Sequence, residues 1–380
     1  MGEHLACLRG WHPALAAAEL AALLPKASHR PTTSHRWVFV DGSTPPQRNE
    51  ALRIASGLQC FLEDGFIHPW DDEHSFLSVV EAYLIQHPVS GSVAVRAWRQ
   101  EGKIPGVSTS SLAGKIGGIM VRGAYDIDLE TPDYTLALIA DGPSSSLACG
   151  WMEGGGNASF GSGERRAAER PFFKPVSLDP RLARLAVNLA AGPLGTGPVV
   201  DPMTGTGGFI IEASLSGRDG MGIDIHSEMV EGARRNLAWA HGSDEHPTCS
   251  IERGDATRID DALPDIWHGN VSGFVLDPPY GRNSQGSMDA QSLLKATLES
   301  SYRTASQDAG FVLILPIKPM GERPNLPVDF EEAVELLNGS WSELLLLLNS
   351  CGWLPKSAHI EHVHKSLSRL ILLARYVPQD

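Results

Sequence analysis

From about residue 171 onward, the chain alternates short apolar strands with amphipathic helices, a rhythm typical of a parallel β-sheet covered by helices on both faces. Four of the strand candidates lead into an aspartate: Asp201, Asp224, Asp255 and Asp277. The carboxyl ends of parallel strands meet at one edge of a sheet, where an open α/β fold binds its ligand. This pattern therefore predicts a crevice lined by four carboxylates.

Further elements complete the predicted sheet. Phe311 to Leu315 predicts another strand, and a helix is expected around 331–349. Two short segments at about 357–364 and 367–376 predict an antiparallel hairpin. An apolar stripe at helical spacing predicts a helix that packs against the core: Met229, Val230, Ala233, Leu237 and Ala240.

The first 170 residues follow a different pattern, with no internal repeat. Apolar spacing predicts helices at 15–24, at 76–85 and after Ser108, and strands at 37–40, 93–98 and 134–139. Small and glycine-rich residues at 142–163 favour an interdomain linker. The predicted organisation is a subdomain at 1–61, a domain at 62–145, a linker at 146–170 and a domain at 171–380.

Composition excludes several classes of protein. With 42% hydrophobic and 20% charged residues, the chain is typical of globular proteins and unlike collagen or disordered chains. A net charge of −14 means that nucleic acid would have to bind at local basic patches. The 5 cysteines are scattered, which argues against a disulfide framework or a zinc knuckle. There is no signal-peptide pattern, and the apolar block Leu344–Leu348 is too short to cross a bilayer, so a cytoplasmic protein without a membrane partner is expected.

The segment 201–209 combines a strand end, a glycine turn and a helix start. Glycines let the backbone approach a ligand closely, and the helix start offers N–H groups. Asp224 can accept hydrogen bonds from both ribose hydroxyls, and Asp255 can accept one from an exocyclic adenine amine. A tight turn and two helix-capping aspartates are the structural alternatives. Because phosphate-loop and dinucleotide fingerprints are absent from the sequence, these residues together predict an adenosine site without a phosphate clamp.

The segment Asp277-Pro278-Pro279-Tyr280-Gly281 carries the strongest chemical signal. An amino group conjugated to a heterocycle is a poor nucleophile, so its methylation requires alignment with the donor and hydrogen bonds to its protons. The Asp277 carboxylate and the Pro278 carbonyl can accept those bonds, Pro279 stiffens the backbone, and Tyr280 can stack on a base rotated out of its helix. A proline-stiffened loop without chemistry is the alternative.

These motifs resemble those of Rossmann-fold S-adenosylmethionine-dependent amino-methyltransferases. More narrowly, Arg170 to Arg181 and the tail Val363 to Arg369 resemble the archaeal THUMP-domain tRNA (guanine(10)-N2)-methyltransferase family. The segments 114–119 and 128–133 are similar to a THUMP domain, an RNA-binding module that recognises the acceptor end of tRNA. The resemblance covers about 75–376, with Met203-Thr204 in place of the expected Phe-Cys.

The resemblance implies a seven-stranded, mostly parallel methyltransferase sheet with a C-terminal antiparallel hairpin. An α+β module would precede it, with a ferredoxin-like subdomain at 1–61 and a THUMP domain at 62–145. The implied cofactor is S-adenosyl-L-methionine, held by Asp201, Pro202, Thr204, Gly205, Gly207, Asp224, Ile225, Asp255 and Ala256. The implied catalytic residues are Asp277, Pro278, Pro279 and Tyr280. No metal is implied, and the histidines at 359, 362 and 364 are not predicted to bind one.

Two local basic islands are consistent with tRNA as the partner. The residues predicted to bind RNA are Arg96, Arg99, Lys115, Arg165, Arg166 and Lys174. On an acidic protein, such islands suit binding through phosphate contacts, with repulsion elsewhere. For either island alone, an ordinary solvated surface is the alternative.

The sequence thus predicts a tRNA guanosine N2-methyltransferase that acts on position 10. The rivals are the same chemistry at tRNA position 6 or on ribosomal RNA, adenine-N6 methylation of DNA, and RNA binding by a non-catalytic relative. The sequence leaves open whether one or two methyl groups are added, whether a small activator subunit is required, and which oligomer forms.

Overall fold

The computed structural model describes residues 3–154, 166–174, 177–241, 247–278, 289–321 and 325–379. Contacts divide the chain into two compact units. The first comprises Met1–Pro13, Lys26–Leu52 and Gly57–Asn157, and the second comprises Ala14–Pro25, Arg53–Ser56 and Ala158–Asp380. Each unit has its own sheet.

The first unit contains an eight-stranded mixed sheet. Its strands are β1 (His4–Leu8), β2 (Ser28–Pro31), β3 (Trp37–Asp41), β4 (Leu58–Pro69), β5 (Ser92–Glu101), β6 (Asp126–Ile127), β7 (Tyr134–Asp141) and β8 (Ser146–Gly154). Their order is β2-β3-β1-β4-β8-β7-β5-β6. Among the described strands of this sheet, β5 pairs with β6 and β7 in parallel, and the other pairs are antiparallel. The predicted strands at 37–40, 93–98 and 134–139 are confirmed.

Four α-helices occur within residues 3–154, a range that the structure describes throughout: α1 (Pro13–Leu23), α2 (Pro45–Ile54), α3 (Glu73–Gln86) and α4 (Thr109–Arg122). The predicted helices at 15–24, at 76–85 and after Ser108 are confirmed. The Ser108 side chain accepts the Ser111 N–H at 3.3 Å and begins α4, because an N-cap oxygen satisfies an amide that lacks a helical partner. Phe76 on α3 and Ile116 on α4 are fully buried in one core under the sheet.

The linker predicted at 146–170 is wrong for its first nine residues. Ser146–Gly154 form β8, an interior strand that pairs with β4 and β7. A Cβ at Gly150 would lie 2.9 Å from the Gly65 Cα, so the glycine permits close packing and does not mark a flexible segment. The remainder of the predicted linker lies largely outside the described residues. β4 also crosses the predicted boundary at 61/62, so the two predicted N-terminal domains share one sheet.

The second unit contains the predicted seven-stranded sheet, in the order β11-β10-β9-β12-β13-β15-β14. Its strands are β9 (Val199–Asp201), β10 (Gly220–Asp224), β11 (Cys249–Arg253), β12 (Val271–Leu276), β13 (Ala305–Ile317), β14 (Trp353–His364) and β15 (Leu367–Tyr376). The first five of these run parallel, and β15 is antiparallel to both β13 and β14. The predicted seven-stranded, mostly parallel sheet and its C-terminal antiparallel hairpin are therefore confirmed.

Helices cover this sheet: α5 (Pro180–Ala191), α6 (Gly208–Ser216), α7 (Ser227–His241), α8 (Ala290–Thr304) and α9 (Trp341–Ser350). Short 3-10 helices lie at Ala167–Glu169, Ala256–Asp261 and Asp265–Trp267. The stripe predicted on α7 packs in a core, with Val230, Ala233 and Leu237 buried. None of the helices in the described ranges is long and apolar enough to cross a membrane.

The helix predicted around 331–349 is wrong for its first half. Only Trp341–Ser350 is helical, because Gly339 with φ +73° turns the chain and a capping box starts the helix after it. The Ser340 hydroxyl accepts the Glu343 N–H at 3.3 Å, and the Glu343 carboxylate accepts the Ser340 N–H at 2.9 Å. Upstream, the Lys318 N–H donates to the Glu335 carbonyl at 3.1 Å in a non-helical connection.

The second unit also includes residues from the start of the chain, which the predicted range 171–380 omits. The Glu19 carboxylate on α1 is fully buried and accepts hydrogen bonds from the Ser56 N–H at 2.8 Å and the Asn188 amide at 2.7 Å. The Asn188 amide also donates to the Ile54 carbonyl at 2.9 Å. These bonds connect α1 and the end of α2 to α5.

Candidate cofactor and amine site

The four aspartates predicted to line one crevice all lie at the carboxyl edge of the second sheet. Asp201 and Asp224 end β9 and β10, Asp255 follows β11 by two residues, and Asp277 directly follows β12. Since β9 pairs with both β10 and β12, the ends carrying Asp201, Asp224 and Asp277 are neighbours. The predicted alignment of the four aspartates along one sheet edge is thus a feature of the fold.

Asp201 at this edge has a strongly shifted pKa. The residue is 1% exposed, and burial raises the pKa of its carboxyl group well above the usual range. The negative charges of Asp224 and Asp277 raise this pKa further, while the Met203 N–H, which donates to Asp201 at 3.2 Å, opposes the rise. Neighbouring carboxylates of this kind favour a cationic ligand, because a positive charge would relieve their mutual repulsion. Pro202, predicted beside it, is buried.

The glycine turn after β9 is held by main-chain and carboxylate hydrogen bonds. The Thr204 N–H donates to the Ile223 carbonyl at 2.8 Å, and the Gly207 N–H donates to the Thr204 carbonyl at 2.8 Å. The Gly205 N–H donates to the Asp224 carboxylate at 3.0 Å. Gly205 and Gly207 have φ values of +50° and +83°, which favour glycine. Among the residues that the structure describes, none apart from its two chain neighbours comes within 4 Å of where a Gly205 Cβ would be, which leaves room there for a ligand to approach the backbone.

Gly222 on β10 packs against Thr204 of this turn, and the sequence analysis missed it. A Cβ there would lie 2.5 Å from the Thr204 hydroxyl oxygen and 2.8 Å from the Ile251 side chain. Thr204 is buried, so it cannot move easily into solvent. The available signal was a glycine inside a strand, which often marks a close approach of another segment.

Asp224 and Asp255 differ in the hydrogen bonds they accept. Asp224 accepts the His226 N–H at 2.9 Å with one oxygen and the Gly205 N–H with the other. A carboxylate offers about four acceptor positions, so hydroxyl donors can still bind to Asp224. Asp255 accepts both the N–H and the hydroxyl of Thr257, at 2.9 and 2.8 Å, and caps the following 3-10 helix. Asp255 is therefore a helix cap, the structural alternative considered from the sequence, and this role leaves it able to accept a further hydrogen bond from a ligand.

The flanking residues Ile225 and Ala256 lie in unlike surroundings. Ile225 is 58% exposed, and its carbonyl accepts the Arg253 Nε–H at 3.3 Å. Ala256 is buried. An exposed apolar side chain beside Asp224 can contact the flat face of a bound base, whereas the Ala256 side chain packs inside the fold.

The amine motif begins where β12 ends. Asp277 and Pro278 are half-buried and follow the buried strand directly. Phe274 stacks on Phe311 with ring centroids 6.0 Å apart, and Trp353 meets both rings edge-on, which fixes β12 against β13 and β14. Pro279 and Tyr280 lie outside the described residues, so their predicted roles stay predictions.

The lead-in segment before α5 lies against the glycine turn. The side chain of Asn236 on α7 bonds to both main-chain groups of Phe172 and to the Thr206 carbonyl. The sequence analysis missed Asn236. Its signal was a polar residue at helical spacing within the buried stripe of α7.

The residues predicted to bind RNA fall in both units. Arg96 and Arg99 are exposed on β5 and, three residues apart, point to opposite faces of the sheet. Arg96 donates to the Leu129 carbonyl, and exposed Lys115 forms an ion pair with Glu73. These three lie in the first unit.

In the second unit, Arg166 is exposed, and Lys174 forms an ion pair with Glu228 at 2.9 Å. Arg165 lies outside the described residues. Arg166 and Lys174 thus each place a cationic side chain at or near the surface of the second unit.

Comparisons with known proteins identify a methyltransferase domain within the second unit. The family model UPF0020, described as RMKL-like, methyltransferase domain, matches residues 167–323, which include all four aspartates. The tRNA (guanine(10)-N2)-dimethyltransferase of Pyrococcus abyssi is 34% identical over 253 residues, 67% of this chain and 70% of that protein. A protein of the same name from Methanothermobacter thermautotrophicus is 35% identical over 156 residues, 40% of this chain and 43% of that protein. The crystal structure of TrmN from Thermus thermophilus aligns with 99% of this chain and 100% of its own, at 18% identity and a TM-score of 0.48.

Proposed function

The chain belongs to the family of tRNA (guanine(10)-N2)-dimethyltransferases, and we propose that its own reaction is methyl transfer from S-adenosylmethionine to the exocyclic N2 amine of guanosine 10 in tRNA. The observation that carries this proposal is the meeting of Asp277-Pro278 with the Asp201 turn at one sheet edge, inside the matched methyltransferase domain. That arrangement supports the proposal because Asp277-Pro278, which would orient the amine, follow a strand that neighbours the strand before the turn that would bind the nucleoside.

The residues at the turn fit this cofactor. S-adenosylmethionine supplies an electrophilic methyl group on a sulfonium and carries further positive charge on its ammonium group. The buried Asp201, whose pKa is raised by burial and by neighbouring carboxylates, suits a cationic ligand. Asp224 would accept the ribose hydroxyls, Asp255 the adenine amine, and the open backbone at Gly205 leaves room for close approach. Pro202, Thr204, Gly207, Ile225 and Ala256 would complete this site.

Asp277 and Pro278 would act on the amine. The Asp277 carboxylate accepts one N–H of the guanine amine, and the Pro278 carbonyl accepts the other, so that charge developing on the nitrogen is stabilised. Both groups follow a strand that is buried along its length, which limits their movement and keeps the amine in line. Pro279 would stiffen the loop and Tyr280 would stack on the rotated base.

The first unit would bind the tRNA. Residues 62–145, proposed as a THUMP domain, place Lys115 on the exposed face of α4 and Arg96 on β5, where they can contact phosphates. Further phosphate contacts would come from the remaining predicted residues, Arg99, Arg165, Arg166 and Lys174. A cytoplasmic location would suit this substrate and is part of the proposal. The assay below tests whether an activator subunit is needed.

The test is transfer of labelled methyl from S-adenosylmethionine to an unmodified tRNA transcript, beside a transcript in which guanosine 10 is replaced by adenosine. Label on the first transcript alone supports the proposal, and nucleoside mass spectrometry is expected to find dimethylguanosine, as the names of the relatives indicate. Equal label on both transcripts would move the target to another position. Absence of label with bound cofactor would call for a partner subunit to be added.

Asp277→Ala separates the chemistry from cofactor binding. We expect this variant to lose methyl transfer by a factor of about 100 or more, since it removes a group that stabilises developing charge. Its affinity for S-adenosylmethionine, measured by calorimetry, should stay within a few fold of the wild type. A large loss of cofactor affinity would mean that Asp277 binds the cofactor instead of the amine.

A further inference from the structure

Asn236 on α7 is a buried side chain that makes hydrogen bonds to two other segments. It is 0% exposed. Its Oδ1 accepts the Phe172 N–H at 2.8 Å, and its Nδ2 donates to the carbonyls of Phe172 at 2.8 Å and Thr206 at 2.9 Å. Phe172 and Thr206 lie in irregular segments, where no helix or sheet ladder supplies regular partners. One side chain therefore supplies partners for three main-chain groups.

The Phe172 side chain is seated on the same helix. A Cβ at Gly232 would lie 2.1 Å from the Phe172 ring, so the absence of a side chain at Gly232 makes room for it. The Lys174 ammonium lies 5.1 Å and the Arg235 guanidinium 5.6 Å from the ring centroid, within the range of cation–π attraction. Both the backbone and the ring of Phe172 are thus fixed to α7.

Thr206 connects this arrangement to the glycine turn. It stands between Gly205 and Gly207, the two glycines with positive φ, and its hydroxyl lies 3.3 Å from that of Ser177. The turn is held on one side by Asp224, which accepts the Gly205 N–H, and on the other by Asn236. Backbone amides bind a ligand well only when they are fixed before it arrives.

We propose that Asn236 is a positioning residue of the cofactor site, which fixes the glycine turn through Thr206 and holds the Phe172 segment beside it as a wall. Asn236 acts through these two segments and does not itself touch the cofactor. This inference rests on the proposed function, because it assumes that the turn binds S-adenosylmethionine. A buried asparagine could instead serve stability alone, and the experiment distinguishes the two roles.

The test compares Asn236→Leu with Asn188→Leu. Asn188 is also 0% exposed on a helix of the same unit, and its side chain also makes three hydrogen bonds, to Glu19, the Ile54 carbonyl and Arg218. Leucine keeps a similar volume in both cases and removes the bonds. The readouts are the Kd for S-adenosylmethionine by calorimetry, the KM for each substrate, and the thermal midpoint.

Asn236→Leu is expected to raise the Kd and the KM for S-adenosylmethionine at least tenfold, equivalent to about 1.4 kcal/mol, with the KM for tRNA within twofold of the wild type. Asn188→Leu should lower the thermal midpoint and leave both cofactor constants within twofold. Equal Kd values for the wild type and Asn236→Leu would overturn the inference. A wild type that binds no S-adenosylmethionine would instead refute the proposed function.

Gly232→Ala provides a second route if Asn236→Leu does not fold. The added methyl group displaces the half-buried Phe172 ring and leaves Asn236 intact. We expect a several-fold rise in the Kd for S-adenosylmethionine in the folded variant. An unchanged Kd in this variant would show that the Phe172 segment is no part of the cofactor site and would also overturn the inference.

Discussion

The buried ion pair between Arg184 on α5 and Glu212 on α6 offers a quantitative test of how the second unit is held together. The Arg184 Nε lies 2.9 Å from the Glu212 carboxylate, and the two side chains are 3% and 1% exposed. The pair joins two helices, and α6 begins directly after the glycine turn. Its loss should therefore loosen the support of the proposed cofactor site.

Burial sets the magnitude of the expected effect. Removing one partner of a fully buried pair leaves an uncompensated charge and costs about 3–5 kcal/mol, a large share of the roughly 5–15 kcal/mol that stabilises a typical domain. Arg234 and Glu252 form a pair at the same 2.9 Å distance, but their side chains are 52% and 43% exposed. Breaking that exposed pair should cost about 0–1 kcal/mol.

Glu212→Ala and the control Glu252→Ala would be compared by hydrogen exchange with mass spectrometry, which reports the opening free energies of α5 and α6 directly. Glu212→Ala should lower these values by about 3–5 kcal/mol, and Glu252→Ala by less than 1 kcal/mol. The double variant Arg184→Met/Glu212→Leu should recover much of the loss, since it removes both charges. Equal effects of the two single variants would refute the reasoning from burial.

Two further predictions concern the site itself. Because burial and neighbouring carboxylates raise the folded-state pKa of Asp201 above its unfolded value near 4, the stability linked to its protonated form is lost as pH rises through the raised pKa. Without cofactor, Asp201→Asn should therefore raise the thermal midpoint more at pH 8 than at pH 5, and an equal or opposite difference would count against this assignment. Gly222→Val would force side-chain atoms against Thr204 and Ile251, so we expect a loss of about 1–3 kcal/mol in unfolding free energy. Calorimetry should also show weaker cofactor binding. Full cofactor affinity would show that the turn tolerates the displacement.

The sequence predicted best those parts of the molecule that depend on local pattern. The parallel strands were found because apolar runs end in aspartates, and their carboxyl ends necessarily share one edge. The C-terminal hairpin was found from two adjacent apolar segments. In each case the signal lies within a few neighbouring residues, so no knowledge of distant contacts was needed.

The failures occurred where distant contacts decide the structure. The small residues of β8 resemble a linker, yet Gly150 is required by the approach of Gly65, 85 positions earlier in the chain. Asn236 in the apolar stripe of α7 could not be assigned without its partners Phe172 and Thr206. The burial of Glu19 is likewise explained by the hydrogen bond that it accepts from Asn188. Polar and small residues inside an element are explained by what packs against them, which the sequence alone does not reveal.

The second unit is built from separated stretches of the chain, and this has a consequence for how the protein folds. Glu19 and Asn188 are 169 positions apart, so α1 leaves the ribosome long before the helix that buries its carboxylate is synthesised. The usual order, in which each domain closes as it emerges, therefore does not apply to this unit. We expect this non-local assembly to slow folding, and a fragment that begins at residue 171 would lack the Glu19 partner of Asn188.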